Sequence, residues 1–172
     1  VSRLDSAIRR LEAQRRCLDR AIQAIVGRDG PVLELGLGNG RTYDHLREAL
    51  PGRDIYVFER AVRAHPDCVP PPGLLFEGDF ADTLPAAAGR IPAPAALAHA
   101  DIGHGDPAVS RQVAALVSRL LPPLLARDGL VLADQALDMP GWRPLTLPNG
   151  VESGRYHVFA GPDRAGGAPE VW

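Results

Sequence analysis

Residues Pro31 to Thr42 read P-V-L-E-L-G-L-G-N-G-R-T: an apolar run with one acid, Glu34, that breaks into three glycines spaced G-x-G-x-G. The run predicts a β-strand over 32–37, and a helical pattern begins near Thr42. A strand that feeds a glycine turn opening a helix suits a nucleotide. Glycines let the backbone approach the ligand, and the helix N-terminus offers unpaired N–H groups to it. The dinucleotide fingerprint G-x-G-x-x-G is not met, because Gly40 comes one residue early and Arg41 stands in the last glycine's place. Acids recur where later apolar runs end: Glu59 in Y-V-F-E-R, Asp79 in E-G-D-F, Asp101 in A-D-I-G-H-G-D and Asp134 in L-A-D-Q. A carboxylate in the place of Glu59 accepts hydrogen bonds from a ribose diol, whichever nucleoside cofactor carries it. His104, three residues beyond Asp101, is of the residue type most often used as a general base, with capping of the next helix as the alternative role. His99, inside the fourth strand, reads as a satisfied core residue.

The elements that must position these residues follow from periodicity. Residues 2–26 form an amphipathic helix, with Leu4, Ile8, Leu11, Leu18, Ile22 and Ile25 on a three-four spacing that Arg15 interrupts. Its arginines read as a solvated face, and Gly27 and Gly30 end it. Strands are then expected over 32–37, 54–59, 74–78, 96–101 and 130–134. Helices are expected over 42–50 and 108–125, the second opened by Asp106 as N-cap and Pro107 at the first helical position. Such alternation predicts a doubly wound α/β sheet, mostly parallel, with its ligand edge at the strands' C-terminal ends. Adjacent parallel strands lie ~4.8 Å apart, so Asp101 and Asp134 are expected to meet there. Residues 142–147 and 155–161 read as two closing strands around the turn signal Asn149-Gly150. The link from the fifth strand to the next is too short for a parallel crossover, so residues 142–147 are expected either antiparallel beside that strand or outside the sheet.

Composition narrows the function. A chain of 172 residues with a formal charge of −2 lacks the basic footprint of a nucleic-acid binder. All 19 basic residues are arginine, so no lysine serves as a base or Schiff-base former. Cys17 and Cys68 are isolated thiols without metal spacing, which suits a reducing compartment. No apolar run is long enough for a membrane span and the first residues lack a signal-peptide pattern, so a soluble cytoplasmic protein is expected.

The E-x-G-x-G-x-G arrangement of Glu34, Gly36, Gly38 and Gly40 resembles the first motif of class I S-adenosylmethionine (SAM) dependent methyltransferases. The likeness spans Pro31 to about Gly161. The run G-L-G-N-G-R-T-Y-D-H-L-R-E is also similar to a group of small stand-alone bacterial methyltransferases of unassigned substrate. This resemblance implies a Rossmann-like methyltransferase fold ending in an antiparallel hairpin. One domain would span 1–172, made of an N-terminal helix (2–26), a core (31–161) and a poorly ordered tail (162–172) unless Trp172 docks. It implies that Glu34, Gly36, Gly38, Asn39, Gly40 and Thr42 hold the methionine end of SAM. Glu59, with Arg60, would serve the ribose, and Asp79 and Phe80 the adenine. Asp101 would face the methionine ammonium with its main chain and the substrate with its side chain, sharing catalysis with His104. Asp101, Asp134 and Gln135 also occupy the places where catechol-type O-methyltransferases hold Mg²⁺. Gln135 replaces an asparagine and no lysine base exists, so the metal-free arrangement is the expectation. The implied activity is methyl transfer to a small molecule, to oxygen ahead of nitrogen. A non-catalytic SAM-binding protein and an aminopropyl transferase of the same fold are the alternatives. The missing helix after the fifth strand would leave Trp142, Leu145 and Leu147 uncovered, which predicts a homodimer or larger oligomer and neither nucleic-acid nor membrane partners.

Overall fold

A computed structural model describes residues 2–164. The N-terminal helix α1 (Arg3–Ala24) starts at a capping box, in which the Ser2 hydroxyl accepts from the Asp5 N–H and the Asp5 carboxylate accepts from the Ser2 N–H. The alternating elements then follow as β1 (Val32–Leu35), α2 (Arg41–Ala49), β2 (Ile55–Glu59), β3 (Leu75–Glu77), α3 (Phe80–Ala87), β4 (Ala95–Ala100), α4 (Pro107–Leu120) and β5 (Leu125–Ala133). Two short strands, β6 (Arg143–Pro144) and β7 (His157–Ala160), complete a seven-stranded sheet in the order β3-β2-β1-β4-β5-β7-β6. The first five strands are parallel, and β7 runs antiparallel to both β5 and β6.

Period-two alternation divides the core. Val32, Ile55, Val57, Leu97, Leu130 and Leu132 face α1 and α2, while Leu33, Leu35, Phe58, Ala98 and Val131 face α3 and α4. The apolar stripe of α1 is split in use. Leu18, Ile22 and Ile25 are buried on the sheet, whereas Leu4 is 69% exposed, Ile8 46% and Leu11 36%. The first turns of α1 therefore run on past the packed face.

Several boundaries differ from the sequence expectation. Helix α3 lies in a stretch the periodicity left unassigned, and Pro85 sits inside it. Helix α4 ends at Leu120 rather than 125, because Pro122 and Pro123 supply no N–H and turn the chain through a 3₁₀ turn into a longer β5. The closing antiparallel pair stands around Asn149-Gly150, where the Val151 N–H closes a turn on the Pro148 carbonyl, but its strands are shorter than expected. Residues 145–156 form a long connection with turns at Gly150 and Gly154, and β6 is held to two residues that end at Pro144. Neither expected position for the residues after β5 is met. β6 is inside the sheet but on its rim, with β7 inserted between it and β5.

No helix follows β5 among the described residues, as expected, yet the face there is not bare. Leu137 and Met139 are buried against the α3/α4 side and Trp142 is half-buried beside them, while Leu145 and Leu147 pack partly on the α1 side. Cys17 is buried and Cys68 partly so, and both are free thiols. Residues 165–172, including Trp172, lie outside the described residues.

Candidate active site

The C-terminal ends of β1, β2, β3 and β4 open on a cleft of about 290 Å³. Gly36 and Gly38 of the glycine turn line one wall, together with Glu59, Arg60, Gly78, Asp79 and Phe80. Asp101, Ile102, Gly103, His104, Val109 and Val113 line the other. The three glycines of the turn do different work. A side chain at Gly36 would fall 2.3 Å from the Asp101 carbonyl oxygen, and one at Gly40 would strike Cys68, so packing requires both glycines. Nothing lies within 4 Å of the position a side chain would take at Gly38, which leaves its backbone open toward the cleft.

On the first wall, Glu59 Oε2 accepts from the N–H groups of Leu37 (2.8 Å) and Gly38 (3.2 Å), and Oε1 accepts from the Ala61 N–H. An ionised carboxylate has about four acceptor positions, so Glu59 can order the turn and still receive a ligand's hydroxyl. Asp79 is the N-cap of α3 but its carboxylate makes no capping bond. Phe80 is half-buried, packed partly on the core and partly along the cleft. Asn39 and Thr42 line a smaller hollow with Arg10, Leu11, Gln14, Arg41 and Asp101, adjoining the cleft at Gly38 and Asp101.

Glu34 does not line the cleft. It is wholly buried, and its oxygens accept from the Thr42 hydroxyl and face His99 Nδ1 at 2.7 Å. The register explains this, since Glu34 and His99 are paired neighbours on β1 and β4. His99 Nε2 meets the hydroxyl of Tyr156, also buried. His99 is thus a satisfied core residue, as its position suggested, but one belonging to a polar chain that the sequence did not reveal. Burial disfavours a charged His99 ring, yet the charge and hydrogen bond of Glu34 outweigh it and raise the ring's pKa above its ordinary value.

Asp101 and Asp134 do stand at neighbouring strand ends, because Ala100 and Ala133 are in register and the Asp134 N–H donates to the Ala100 carbonyl. Their carboxylates have separate partners. Asp134 Oδ1 accepts from the Ile102 N–H and Oδ2 from the Gly103 N–H, each at 2.9 Å, and the Gln135 amide nitrogen also points at Oδ2. Burial raises the Asp134 pKa against the pull of these donors. Asp101 Oδ2 accepts from Gln14 Nε2 at 3.0 Å and lies 3.6 Å from Arg10 Nη1. A cation shared by Asp101, Asp134 and Gln135 does not fit this donor set, in which Gln135 presents N–H groups and Asp134 braces the loop after β4.

His104 is exposed at the cleft mouth. Its N–H donates to Ser110 Oγ, and its Nδ1 accepts from the Asp106 N–H at 3.1 Å. Arg10, Gln14 and Tyr156 escaped the sequence reading. The signal for Gln14 was present: it sits three residues after Leu11 and four before Leu18, inside the apolar stripe.

A parallel sheet with a glycine turn after β1, an acid after β2 and an antiparallel closing strand defines a nucleoside-binding enzyme of methyltransferase architecture. The profile of the S-adenosyl-L-methionine methyltransferase family matches residues 1–160, and the chain belongs to that family. The crystal structure of an S-adenosyl-L-methionine methyl transferase from Silicibacter pomeroyi DSS-3 is 48% identical, with a TM-score of 0.86 over 93% of this chain and 99% of that one. MycE methyltransferase from the mycinamycin biosynthetic pathway, solved with Mg, SAH and mycinamycin VI, shares 16% identity and a TM-score of 0.56 over 92% of this chain and 49% of its own. Human methyltransferase-like protein 13, solved with SAH, shares 14% identity and a TM-score of 0.54 over 96% and 85%. At those identities the last two share the fold. No curated protein matches the chain. The enzyme is accordingly a SAM-dependent methyltransferase.

The raised His99 pKa carries a sign for stability. The His99–Glu34 pairing stabilises fully below the unfolded value near 6.5 and is lost as pH rises through the folded value. Thermal unfolding across that range should show wild-type stability falling as pH rises, and His99→Gln removing that part of the dependence. A wild-type-minus-variant difference that is flat with pH would refute the coupling.

Proposed function

We propose that this enzyme, one catalytic domain over 1–172 acting in the cytoplasm, transfers a methyl group from SAM to a small-molecule acceptor, an oxygen nucleophile ahead of nitrogen. The observation that carries this reading is the two-walled cleft. Its polar first wall suits a nucleoside, and its second joins Asp101 and His104 to the apolar Ile102, Val109 and Val113. On this reading Glu59 receives the ribose diol beside Arg60, Asp79 the adenine amino group, and Phe80 packs on the ring. Gly36, Gly38, Asn39 and Thr42 surround the methionine end near the N-terminus of α2, where unpaired N–H groups favour an anion. Glu34 and Gly40 support that end from behind, Glu34 through Thr42 and Gly40 by allowing the turn to pack. SAM supplies a methyl on a sulfonium, a good leaving group. What remains for the protein is alignment, exclusion of water and removal of a proton if the acceptor is a hydroxyl. The acceptor class is supported by a net charge of −2. No described helix is long and apolar enough to cross a membrane.

His104 has two readings. As general base it would take the acceptor's proton on Nε2. A specific contact favours the other: because Nδ1 accepts from the Asp106 N–H, a neutral ring carries its own proton on Nε2. In that state it caps the loop before α4 and offers the cleft a donor. Self-association is proposed on the exposed Leu4, Ile8 and Leu11 of α1, and light scattering at micromolar concentration should return at least a dimer. A monomeric mass would refute it.

SAM and its demethylated product S-adenosylhomocysteine (SAH) should raise the melting temperature, and NAD should not. A hundredfold excess over the dissociation constant corresponds to ~2.7 kcal/mol. Glu59→Ala should weaken SAH binding by the loss of charge-assisted bonds, and unchanged affinity would place the ribose elsewhere. Once an acceptor is found, His104→Asn should keep the cap and hold turnover within about tenfold of wild type. A fall of ~10²–10⁴-fold would instead identify His104 as the base.

A further inference from the structure

Helix α1 is tied to the cofactor edge by a hydrogen bond from the buried Gln14. His99 joins Glu34 to the Tyr156 hydroxyl, and Gln14 Nε2 donates to Asp101 Oδ2 at 3.0 Å. Gln14, His99, Tyr156 and Glu34 are all buried. Apolar contact alone would tolerate small slides of a helix over a sheet, whereas satisfied buried polar groups fix one register. The register places Arg10, one turn before Gln14, with Nη1 3.6 Å from the same Asp101 oxygen. Arg10, Gln14 and Asp101 border the small hollow that meets the main cleft at Gly38 and Asp101.

We propose that Arg10 and Asp101 form a clamp for the amino-acid end of the cofactor, Arg10 taking its carboxylate and Asp101 its ammonium, with Gln14 the positioning residue that holds the Asp101 carboxylate. The inference rests on the SAM reading above. At 3.6 Å the Arg10–Asp101 pair is longer than a hydrogen bond, and its side chains are 49% and 32% exposed, so opening it costs little. A zwitterionic amino acid carries the same two charges in the complementary order. Entering between the two side chains, it gives each an equivalent partner and leaves the local charge balance unchanged. Both present contacts to Asp101 fall on Oδ2, which leaves Oδ1 for the ammonium. Arg10 suits the carboxylate end because its guanidinium presents a planar fork of donors.

The test is calorimetric binding of three ligands to the full chain: SAH, decarboxylated SAM, and 5′-methylthioadenosine, which lacks the amino-acid end. Arg10→Leu should weaken SAH about tenfold, the value of one charge-assisted bond, and leave decarboxylated SAM and 5′-methylthioadenosine unchanged. Gln14→Leu should weaken SAH and decarboxylated SAM, which both carry the ammonium, and spare 5′-methylthioadenosine. Arg10 is exposed, so its variant reads binding rather than folding, and circular dichroism confirms the fold of both. Equal weakening of all three ligands would mean a displaced helix and would overturn the clamp, as would undiminished SAH affinity in Arg10→Leu. Failure of the wild type to bind any of the three would overturn the SAM reading itself, and the clamp with it.

Discussion

The pairing of β1 with β4 sets the constraint on which the rest depends. It brings the backbone of Gly36 against the carbonyl of Asp101 so closely that no side chain fits between them, and it sets Glu34 directly beside His99 in a dry interior. A buried carboxylate is costly unless its lone pairs are met. Here they are met by His99 and by Thr42, the latter at the start of α2. The same groups therefore hold the glycine turn, the helix it opens and the neighbouring strand in one arrangement. No buried side-chain nitrogen or oxygen among the described residues lacks a partner.

From that pair the polar chain runs outward to Tyr156 on the segment entering β7, and Gln14 on α1 holds Asp101 at the same edge. Elements far apart in the chain are thus tied to the edge where Asp101 sits. The first acid of the glycine motif acts on that edge from behind, through Thr42 and His99, while Glu59 works at the surface of the cleft and grips the turn by the N–H groups of Leu37 and Gly38. Asp134 has a similar bracing part on the other wall, where its two oxygens hold the backbone of Ile102 and Gly103. The strand-end acids divide between bracing and binding, and only the hydrogen-bond partners distinguish them.

Local rules accounted for much of the architecture. The start of α1 at Ser2, the Asp106-Pro107 start of α4 and the strand-turn-helix around Gly36 are each decided by a few adjacent residues, and each stands where the sequence put it. Expectation failed where distant segments compete. β6 shrank to two residues at an edge that Pro144 interrupts, and β7 took the place beside β5 because antiparallel entry from a long connection suits a strand that no crossover can reach. Leu137, Met139 and Trp142 cover, without a helix, the face that the missing helix would otherwise have covered.

The class of the fold and the kind of ligand were legible before any tertiary contact was known. Hydrophobic period, glycine spacing and acids at strand ends are local properties, and right-handed crossovers carry them to one edge whatever the details. Tertiary structure alone decided the partners of each charge. That Asp101 meets Gln14 and Arg10, that Asp134 meets backbone and that His104 accepts from Asp106 depend on distances between elements. Those distances are set by how α1 and the loop after β4 pack on the sheet. Gln14 sits within the apolar period of α1, but only packing showed that it meets Asp101.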